Sequence, residues 1–344
     1  MTLATRSIVA LLVVAGCASG ETGATGGSER RDGVVSVVAG PGGEVQRLHV
    51  SPDGRFLVVE TTGPLPSVAC VYDEELRLVR SRPSWAFAMA FSSMANELVI
   101  ANAGEVEVVE IQSLQTRAKR ALPDGARIVS QVIALPQGAG WAIHSGGSSR
   151  VRKLDATSLG IVGEGELGVG YLVGAALDDA TGLGVVVGRQ HQLGGYDFDR
   201  MSPAFTVDLP CVESGPSVRA SNGIALVGTS DGSGLVIRVD LRERRVIDTI
   251  KLPVDGRTFV ACAKRTGDVA IAGERRVAGD PDKRVLELRY LERHDGSLRE
   301  VASTSLVIDG WVADIELMER TRKVVIGGTG RWVWDLGARA TSTP

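Results

Sequence analysis

The chain is poor in the residues from which most catalytic and cofactor sites are built. Its 344 residues include only four histidines and four cysteines, and aromatic side chains make up 4% of the sequence. The one Gly-x-Ser-x-Gly sequence, Gly228-Thr-Ser-Asp-Gly, leads from an apolar run into an Asp-Gly tight turn and not into a helical pattern, so a serine nucleophile on a strand-to-helix turn has no support. Lys and Arg total 38 against 41 Asp and Glu, a formal net charge of −3. Without a basic stripe, the chain is not expected to bind nucleic acid.

Long hydrophobic segments and amphipathic helices are also missing. The run at residues 8–15 is far shorter than the roughly 20 apolar residues that a spanning helix needs. No stretch of useful length has helical periodicity. What the chain does have is 43 glycines and many short runs of Val, Ala and Leu separated by Gly, Pro and Asp. This texture is typical of many short strands and predicts an all-β fold.

The first 17 residues have the order of an export signal. Arg6 precedes the apolar run, and Val14-Ala15-Gly16-Cys17 follows it directly. This tetrapeptide resembles the bacterial lipobox, in which small residues precede a cysteine that is lipidated and becomes the new N-terminus. The resemblance implies a signal peptide at residues 1–16 and acyl chains on Cys17 that anchor an exported protein to a bacterial cell membrane or outer membrane. The alternative is an ordinary secretory peptide with an incidental cysteine.

Residues 17–33 follow as a predicted tether. Residues 18–33 include no apolar side chain larger than alanine, so this segment cannot bury surface and we expect it to be flexible. Of the other cysteines, Cys70 and Cys262 lie in apolar strand patterns and are expected to behave as small buried hydrophobes. A disulfide between Cys211 and Cys262 stays open as an alternative.

One pattern recurs seven times between residues 34 and 340. Each unit has a strand-like run, a tight turn, a wholly apolar run, a loop and a third run that closes on an acid. The first unit shows this best, with Ser51-Pro-Asp-Gly-Arg as its turn. The closing acids are Asp73, Glu110, Asp155, Asp199, Asp240, Glu292 and Asp335. Their mean spacing of about 44 residues is typical of the four-stranded blades of a β-propeller.

The burial of strand faces explains why such units assemble into a ring. One small twisted sheet cannot cover both of its faces, so it stacks on neighbours until the ring closes. We therefore predict a seven-bladed β-propeller with four-stranded antiparallel blades over residues 34–340. The seventh unit has no fourth strand after Asp335, whereas residues 34–39 form a β-branched run without a unit of their own. We expect this N-terminal strand to complete the seventh blade and close the ring.

Two motifs resemble known propeller families. The first turn and the run after it, Ser51-Pro-Asp-Gly-Arg-Phe-Leu-Val-Val, resemble the opening hairpin of WD40 and YVTN repeats. The segment Val333-Trp334-Asp335 is similar to the WD dipeptide. The Gly-His dipeptide of WD40 repeats is absent and only one unit has Trp-Asp, so the chain is closer to the looser WD40-like and YVTN-like bacterial group. The resemblance specifies a fold and leaves the function open.

The four strands of a blade are named a to d from the channel outward, and the b–c and d–a connections of all blades share one face, here called the upper face. Aromatic residues together with arginine are typical of protein-binding hot spots, and the sequence places both on this face. The d–a connections supply Trp85, Arg127, Tyr171, Arg257 and Trp311. The ends of strand b supply His144 and His191. A charged stretch at residues 273–284 is interpreted as the longest b–c loop, and it supplies Arg275 and Arg276.

Two functions of different classes are compatible with these residues. The first is a cell-envelope scaffold with a monomeric body that binds a protein or peptide on its upper face, without catalysis, cofactor or metal. The second is a propeller hydrolase or lactonase with a dispersed site at the channel mouth. His144 and His191 have no Asp, Glu or Cys at a ligand-like spacing, which favours the first.

Overall fold

The computed structural model describes residues 34–37, 43–62, 68–83, 88–92, 96–102, 104–122, 129–145, 149–188, 191–211 and 213–337. The predicted signal peptide, Cys17 and the tether lie outside these ranges. The described part consists of strands, with one short 3-10 turn at Pro136–Gly138 and no α-helix. None of its segments forms a helix long and apolar enough to cross a membrane.

The strands form seven antiparallel sheets of four, which confirms the predicted seven-bladed β-propeller. Blade 1 consists of β2 (Glu44–Val50), β3 (Leu57–Thr62), β4 (Val68–Tyr72) and β5 (Leu78–Pro83). Blade 2 consists of β6 (Ala88–Phe91), β7 (Glu97–Asn102), β8 (Glu105–Glu110) and β9 (Thr116–Ala121). Blade 3 consists of β10 (Val129–Ala134), β11 (Trp141–Ser145), β12 (Arg150–Leu154) and β13 (Ile161–Glu166). Blade 4 consists of β14 (Leu172–Asp178), β15 (Leu183–Gly188), β16 (Gln192–Asp197) and β17 (Ser202–Asp208). Blade 5 consists of β18 (Ser214–Ser221), β19 (Ile224–Thr229), β20 (Leu235–Asp240) and β21 (Arg245–Lys251). Blade 6 is β22 (Thr258–Cys262), β23 (Val269–Val277), β24 (Asp280–His294), β25 (Ser297–Asp309), and blade 7 is β26 (Val312–Met318), β27 (Lys323–Gly328), β28 (Arg331–Asp335) with β1 (Val34–Val37).

The ring closes through its N-terminal strand, as the sequence predicts. β1 pairs antiparallel with β28, so that Val34 lies opposite Asp335 and Val37 lies opposite Trp332. The seventh blade thereby gains its fourth strand, and the edge of β28 is covered. Both ends of the described chain are tied into one sheet.

The core lies between blades rather than inside any one of them. Ala272 and Leu286 of blade 6, for example, belong to one buried cluster with Ile315 and Trp334 of blade 7. Strand b is buried on both faces by this packing, which explains why the second run of each unit is apolar throughout.

The a–b turn of blade 1 shows how the repeat sets local structure. Ser51 Oγ donates to Asp53 Oδ1 (2.7 Å) and accepts from the backbone N–H of Phe56 (2.9 Å). Gly54 has a φ of +71° and its N–H donates to the carbonyl of Ser51 (2.8 Å). A glycine is required there because other residues rarely adopt a positive φ. These turns and the c–d turns share the opposite face of the ring, here called the lower face.

In four blades an aspartate closes the c–d turn by accepting backbone hydrogen bonds: Asp73, Asp155, Asp197 and Asp240. Asp155 Oδ1, for example, accepts from the N–H groups of Thr157 and Ser158 at 3.1 and 2.7 Å. In blade 4 this role belongs to Asp197, whose Oδ1 accepts from Asp199 N and Arg200 N at 2.9 and 3.0 Å. The sequence assignment of Asp199 as the closing acid is therefore wrong by two residues, because the acid that caps the turn is the one at the end of the strand. Glu110 accepts instead from the hydroxyl of Ser113, and the assignment of Glu292 as a closing acid is wrong because its strand continues to His294.

Candidate partner-binding surface

The charged stretch of blade 6 is a sheet extension and not a loop. β23 and β24 remain paired as far as Val277 opposite Asp280, and β25 continues beside them up to Asp309 opposite Lys283. Only the tip around Gly279, with a φ of +81°, turns the chain. The interpretation of residues 273–284 as a loop is wrong. A strand with one face in solvent can carry many charged side chains, so a high density of charge does not indicate a loop. We call this part of β23–β25 the blade 6 extension.

The preceding d–a connection binds the free edge of the extension. The N–H of Gly256 donates to the carbonyl of Glu274 (2.9 Å), and the N–H of Glu274 donates to the carbonyl of Arg257 (3.0 Å). One step further, the N–H of Arg276 donates to Asp255 Oδ1 (3.3 Å). The connection thus satisfies backbone groups that would otherwise be an open strand edge, and it braces the extension against the ring.

Arg257 lies at the base of the extension and is held by the fold. Its Nε donates to Glu274 Oε2 (3.3 Å), and its Nη2 donates to the carbonyl of Val312 (2.8 Å). The guanidinium also lies over the rings of Phe259 and Trp311, 5.3 and 5.9 Å from their centres. Glu274 is buried, and its Oε1 accepts from the N–H of Val312 (2.6 Å). Arg257 therefore joins blades 6 and 7, and the half-buried ring of Trp311 is positioned by it.

Arg275 and Arg276 are neighbours in β23 and so point to opposite faces of the extension. Arg275 is 46% exposed and lies 3.8 Å from Glu287. Arg276 is exposed and lies opposite Arg284 across the ladder. Within the described residues, no carboxylate pairs with the Arg276 guanidinium. Arg276 is thus the member of the predicted set with its charge most available to a partner.

The other described candidates differ in what they offer to a partner. Tyr171 lies in the connection between blades 3 and 4 and is 60% exposed. His144 is only 4% exposed, with its Nδ1 2.8 Å from Ser130 Oγ, so it supports blade 3 internally. His191 has a φ of +60° in the b–c connection of blade 4, and its carbonyl accepts from Leu209 N (2.7 Å). Trp85 and Arg127 lie outside the described residues.

A cavity of about 530 Å³ occupies the central channel and reaches the lower face. Sequence reasoning did not anticipate the charged side chains that line it. Arg219 of blade 5 donates through Nη2 to Asp314 Oδ1 (3.1 Å) and Glu316 Oε1 (2.7 Å) of blade 7. Asp314 Oδ2 in turn accepts from the N–H of Leu48 in blade 1 (3.1 Å). This Arg219 cluster connects the inner strands of three blades.

The remaining polar groups of the channel extend this network toward blades 1 and 3. The Arg47 guanidinium contacts the carbonyl of Ser130 at 3.4 and 3.5 Å. Burial, aided by Arg47 and Arg219, lowers the pKa of His49 to about 3, so this imidazole is neutral. Burial raises the pKa of Cys262 to about 12, so its thiol is not a reactive nucleophile.

Two carboxyl groups, one in the channel and one in strand b of blade 1, have a raised pKa and therefore ionise less readily than an exposed glutamate. Burial raises the pKa of Glu316, while Arg219 counteracts the shift. Burial also raises the pKa of Glu60, in strand b of blade 1, to about 7. A signal for the channel groups was present in the sequence, because each charged residue interrupts an apolar inner strand, as in Val218-Arg219-Ala220.

The described residues contain neither a cluster of metal ligands nor a disulfide. No group of three or more His, Cys, Asp and Glu side chains there is arranged to hold a metal ion. None of Cys70, Cys211 and Cys262 is in a disulfide, so the alternative of a Cys211–Cys262 disulfide is not realised. Cys70 is buried, as its apolar strand pattern predicts.

Comparison with known proteins identifies the fold. No protein-family model matches the chain, and no curated protein matches its sequence. Among solved structures, U3-55K superimposes with a TM-score of 0.68 at 13% identity, covering 88% of this chain and 98% of that one. The WD40 repeats of RRP9 give the same TM-score and identity, with 88% and 97% covered. At this identity the likeness establishes a WD40-like propeller fold and nothing more.

Proposed function

We propose that this chain is a bacterial cell-envelope scaffold that is anchored through Cys17 and binds a protein or peptide on its upper face without catalysing a reaction. The observation that carries the proposal is the blade 6 extension. It projects beyond its blade, is braced by hydrogen bonds from a neighbouring connection, and exposes an arginine without a carboxylate partner in the described residues. Rigid surfaces with arginine and aromatic groups are those that protein partners use most.

The binding site is the corner between the extension and blade 7. Arg276 and Arg284 share a face with Leu286, because facing and alternate residues of a ladder lie on one side. Leu286 packs in the cluster that joins blades 6 and 7, so this face turns toward blade 7. The N–H of Gly310 donates to the carbonyl of Asp282 (2.6 Å) and ties the extension to the connection that carries Trp311.

This corner suits an extended segment that carries an acidic side chain and an apolar side chain close together. Arg276 and Arg284 supply cations that can bind a carboxylate through two donors, and arginine loses hydration more readily than lysine. The half-buried ring of Trp311 offers an apolar surface beside them. The two positions together would select both charge and shape.

Charge reversal at Arg276 tests the proposal. The purified full-length chain is used to retain proteins from detergent-solubilised cell envelopes, and the retained proteins are quantified by mass spectrometry. Arg276→Glu should reduce specific retention by roughly tenfold, equivalent to about 1.4 kcal/mol. Arg299→Glu is the matched control, because Arg299 is an exposed arginine of the same blade near the lower face. Equal retention by the wild type and both variants would refute the corner as the binding site.

A further inference from the structure

Every blade of a propeller leaves the edge of its outer strand open to pairing with another strand. In blades 1 to 6 these strands are β5, β9, β13, β17, β21 and β25, each at the end of its sheet. Each pairs with strand c through a bulge close to the c–d turn, and the bulge twists this end of the edge. The part of the strand above the bulge is the part that another strand could join.

Five of the six outer strands protect this upper part. Only four residues follow the bulge in each, and they include charged residues, proline or a pair of glycines: Arg80-Ser-Arg-Pro in β5, Ala118-Lys-Arg-Ala in β9, Gly163-Glu-Gly-Glu in β13, Phe205-Thr-Val-Asp in β17 and Asp248-Thr-Ile-Lys in β21. Short length, charge and proline are the devices by which folded proteins prevent edge-to-edge association.

The outer strand of blade 6 lacks these devices. Above the bulge at Val301, β25 continues for eight residues, Ala302-Ser-Thr-Ser-Leu-Val-Ile-Asp, of which only Asp309 is charged. Val307 is 60% exposed. Within the described residues, the backbone from Ala302 to Ile308 pairs only with β24. This strand is therefore an open edge of seven uncharged residues, of which Thr304, Val307 and Ile308 are β-branched and favour strands.

We infer that β25 pairs antiparallel with β25 of a second copy of this chain. A two-fold axis through Ser305 would place Ser305 opposite itself, Thr304 opposite Leu306 and Ser303 opposite Val307. Every facing pair from Ala302 to Ile308 is then uncharged, so no like charges meet. A two-fold dimer requires a surface that is complementary to itself. In this register the strand is complementary to itself over its whole unprotected length.

The dimer is a weak and concentration-dependent one. One strand pair of seven residues buries less surface than the roughly 1,200 Å² typical of stable complexes. Its main-chain hydrogen bonds supply most of the attraction, as in other strand-addition complexes. The dimer replaces the monomeric body expected from the sequence, and it does not rest on the partner proposed for the corner, because it uses the outer edge of the extension.

Cross-linking tests the register directly. In a full-length chain carrying Cys17→Ser, Ser305→Cys places a thiol opposite its own copy, and mild oxidation should give a covalent dimer. Ser303→Cys is the matched control, since in this register it faces Val307 and lies about four residues from its own copy, or roughly 13 Å. Oxidation of both variants to equal extents, or of neither above the parent chain, would overturn the inference.

Sedimentation velocity over a concentration series tests association without a new thiol. Ser305→Lys should abolish the concentration-dependent dimer, because two like charges would face each other in the pair. Ser305 is exposed, so the substitution should leave the thermal unfolding temperature of the monomer unchanged. Ser297→Lys, at the exposed lower end of β25, should dimerise like the wild type. A wild-type chain that stays monomeric at all concentrations, or a Ser305→Lys variant that dimerises equally, would rule out pairing through this edge.

Discussion

Replacing Arg219 with leucine should destabilise the ring through charge rather than through packing. Nη2 of Arg219 bonds to Asp314 and Glu316, and both carboxylates are only 16% exposed at their side chains. Removing the guanidinium leaves two acids side by side in the channel without their cation. Removing one partner of a fully buried pair costs about 3–5 kcal/mol. Because the channel retains solvent access, we expect Arg219→Leu to lower the free energy of unfolding by about 2–4 kcal/mol at pH 8.

The pH dependence of that loss identifies its cause. Burial already raises the pKa of Glu316, and Arg219 is the group that counteracts the shift. Without Arg219 the pKa rises further, so the folded variant holds a proton on Glu316 to a higher pH than the wild type does. A raised folded-state pKa gives stability that is present at low pH and lost as the pH rises. The difference between wild type and Arg219→Leu should therefore be larger at pH 8 than at pH 5.

Urea denaturation followed by tryptophan fluorescence at both pH values measures this difference. Arg77→Leu is the control, because its pair with Asp73 is at the surface, where solvent screens it, and Arg77 is 73% exposed. The triple variant Arg219→Leu, Asp314→Asn, Glu316→Gln should recover most of the stability, since it removes the uncompensated charge. A loss that is the same at pH 5 and pH 8, and that the triple variant does not recover, would refute the electrostatic explanation.

Three further predictions follow from the fold and the sequence. A chain that begins at Gly40 lacks β1 and exposes the edge of β28, so its free energy of unfolding should fall by a few kcal/mol, a change measurable by urea denaturation; melting at the same temperature as the full chain would contradict the closure of the ring by β1. Glu60→Gln should stabilise the protein at pH 8 by up to about 3 kcal/mol and by progressively less below pH 7, because burial raises the pKa of Glu60 from 4.5 to about 7 and its ionisation costs stability as the pH rises; a gain that is equal at pH 5 and pH 8 would contradict this. Cys17→Ser should release the protein from membranes, and a variant that stays bound after a carbonate wash would show that Cys17 is not the anchor.

The fold was predictable because its signals recur along the chain. Each unit has an apolar second strand and turn residues such as those after Ser51, and four units have a capping aspartate such as Asp155. These features lie within about 20 residues of one another, so the pattern of each unit can be recognised in the sequence. The blade 6 extension was missed because a density of charge was taken as a loop, although Leu286 and Leu288 continue the strand pattern beyond it.

The channel network was not predictable for a different reason. Arg219 and Glu316 are separated by 97 residues and meet only because the ring brings blades 5 and 7 together across the channel. A sequence shows that an inner strand contains a charge, but it does not show which charge on another blade will neutralise it. The partner-binding surface has the same difficulty, since Arg257 and Trp311 come from successive connections of blades 5 and 6.

The direction of β1 has a consequence for how the molecule would sit at a membrane. β1 starts at Val34 beside Asp335, at the end of strand c where the c–d turns lie, so the N-terminal end of β1 lies at the lower face. If residues 18–33 form the flexible tether that their composition predicts, the root-mean-square distance between its ends would be about 20 Å. Anchored at Cys17, the ring would therefore turn the mouth of its channel, with Asp53 and Arg320, toward the bilayer. The corner beside Trp311 would face away from the lipid, toward whatever the surrounding compartment contains.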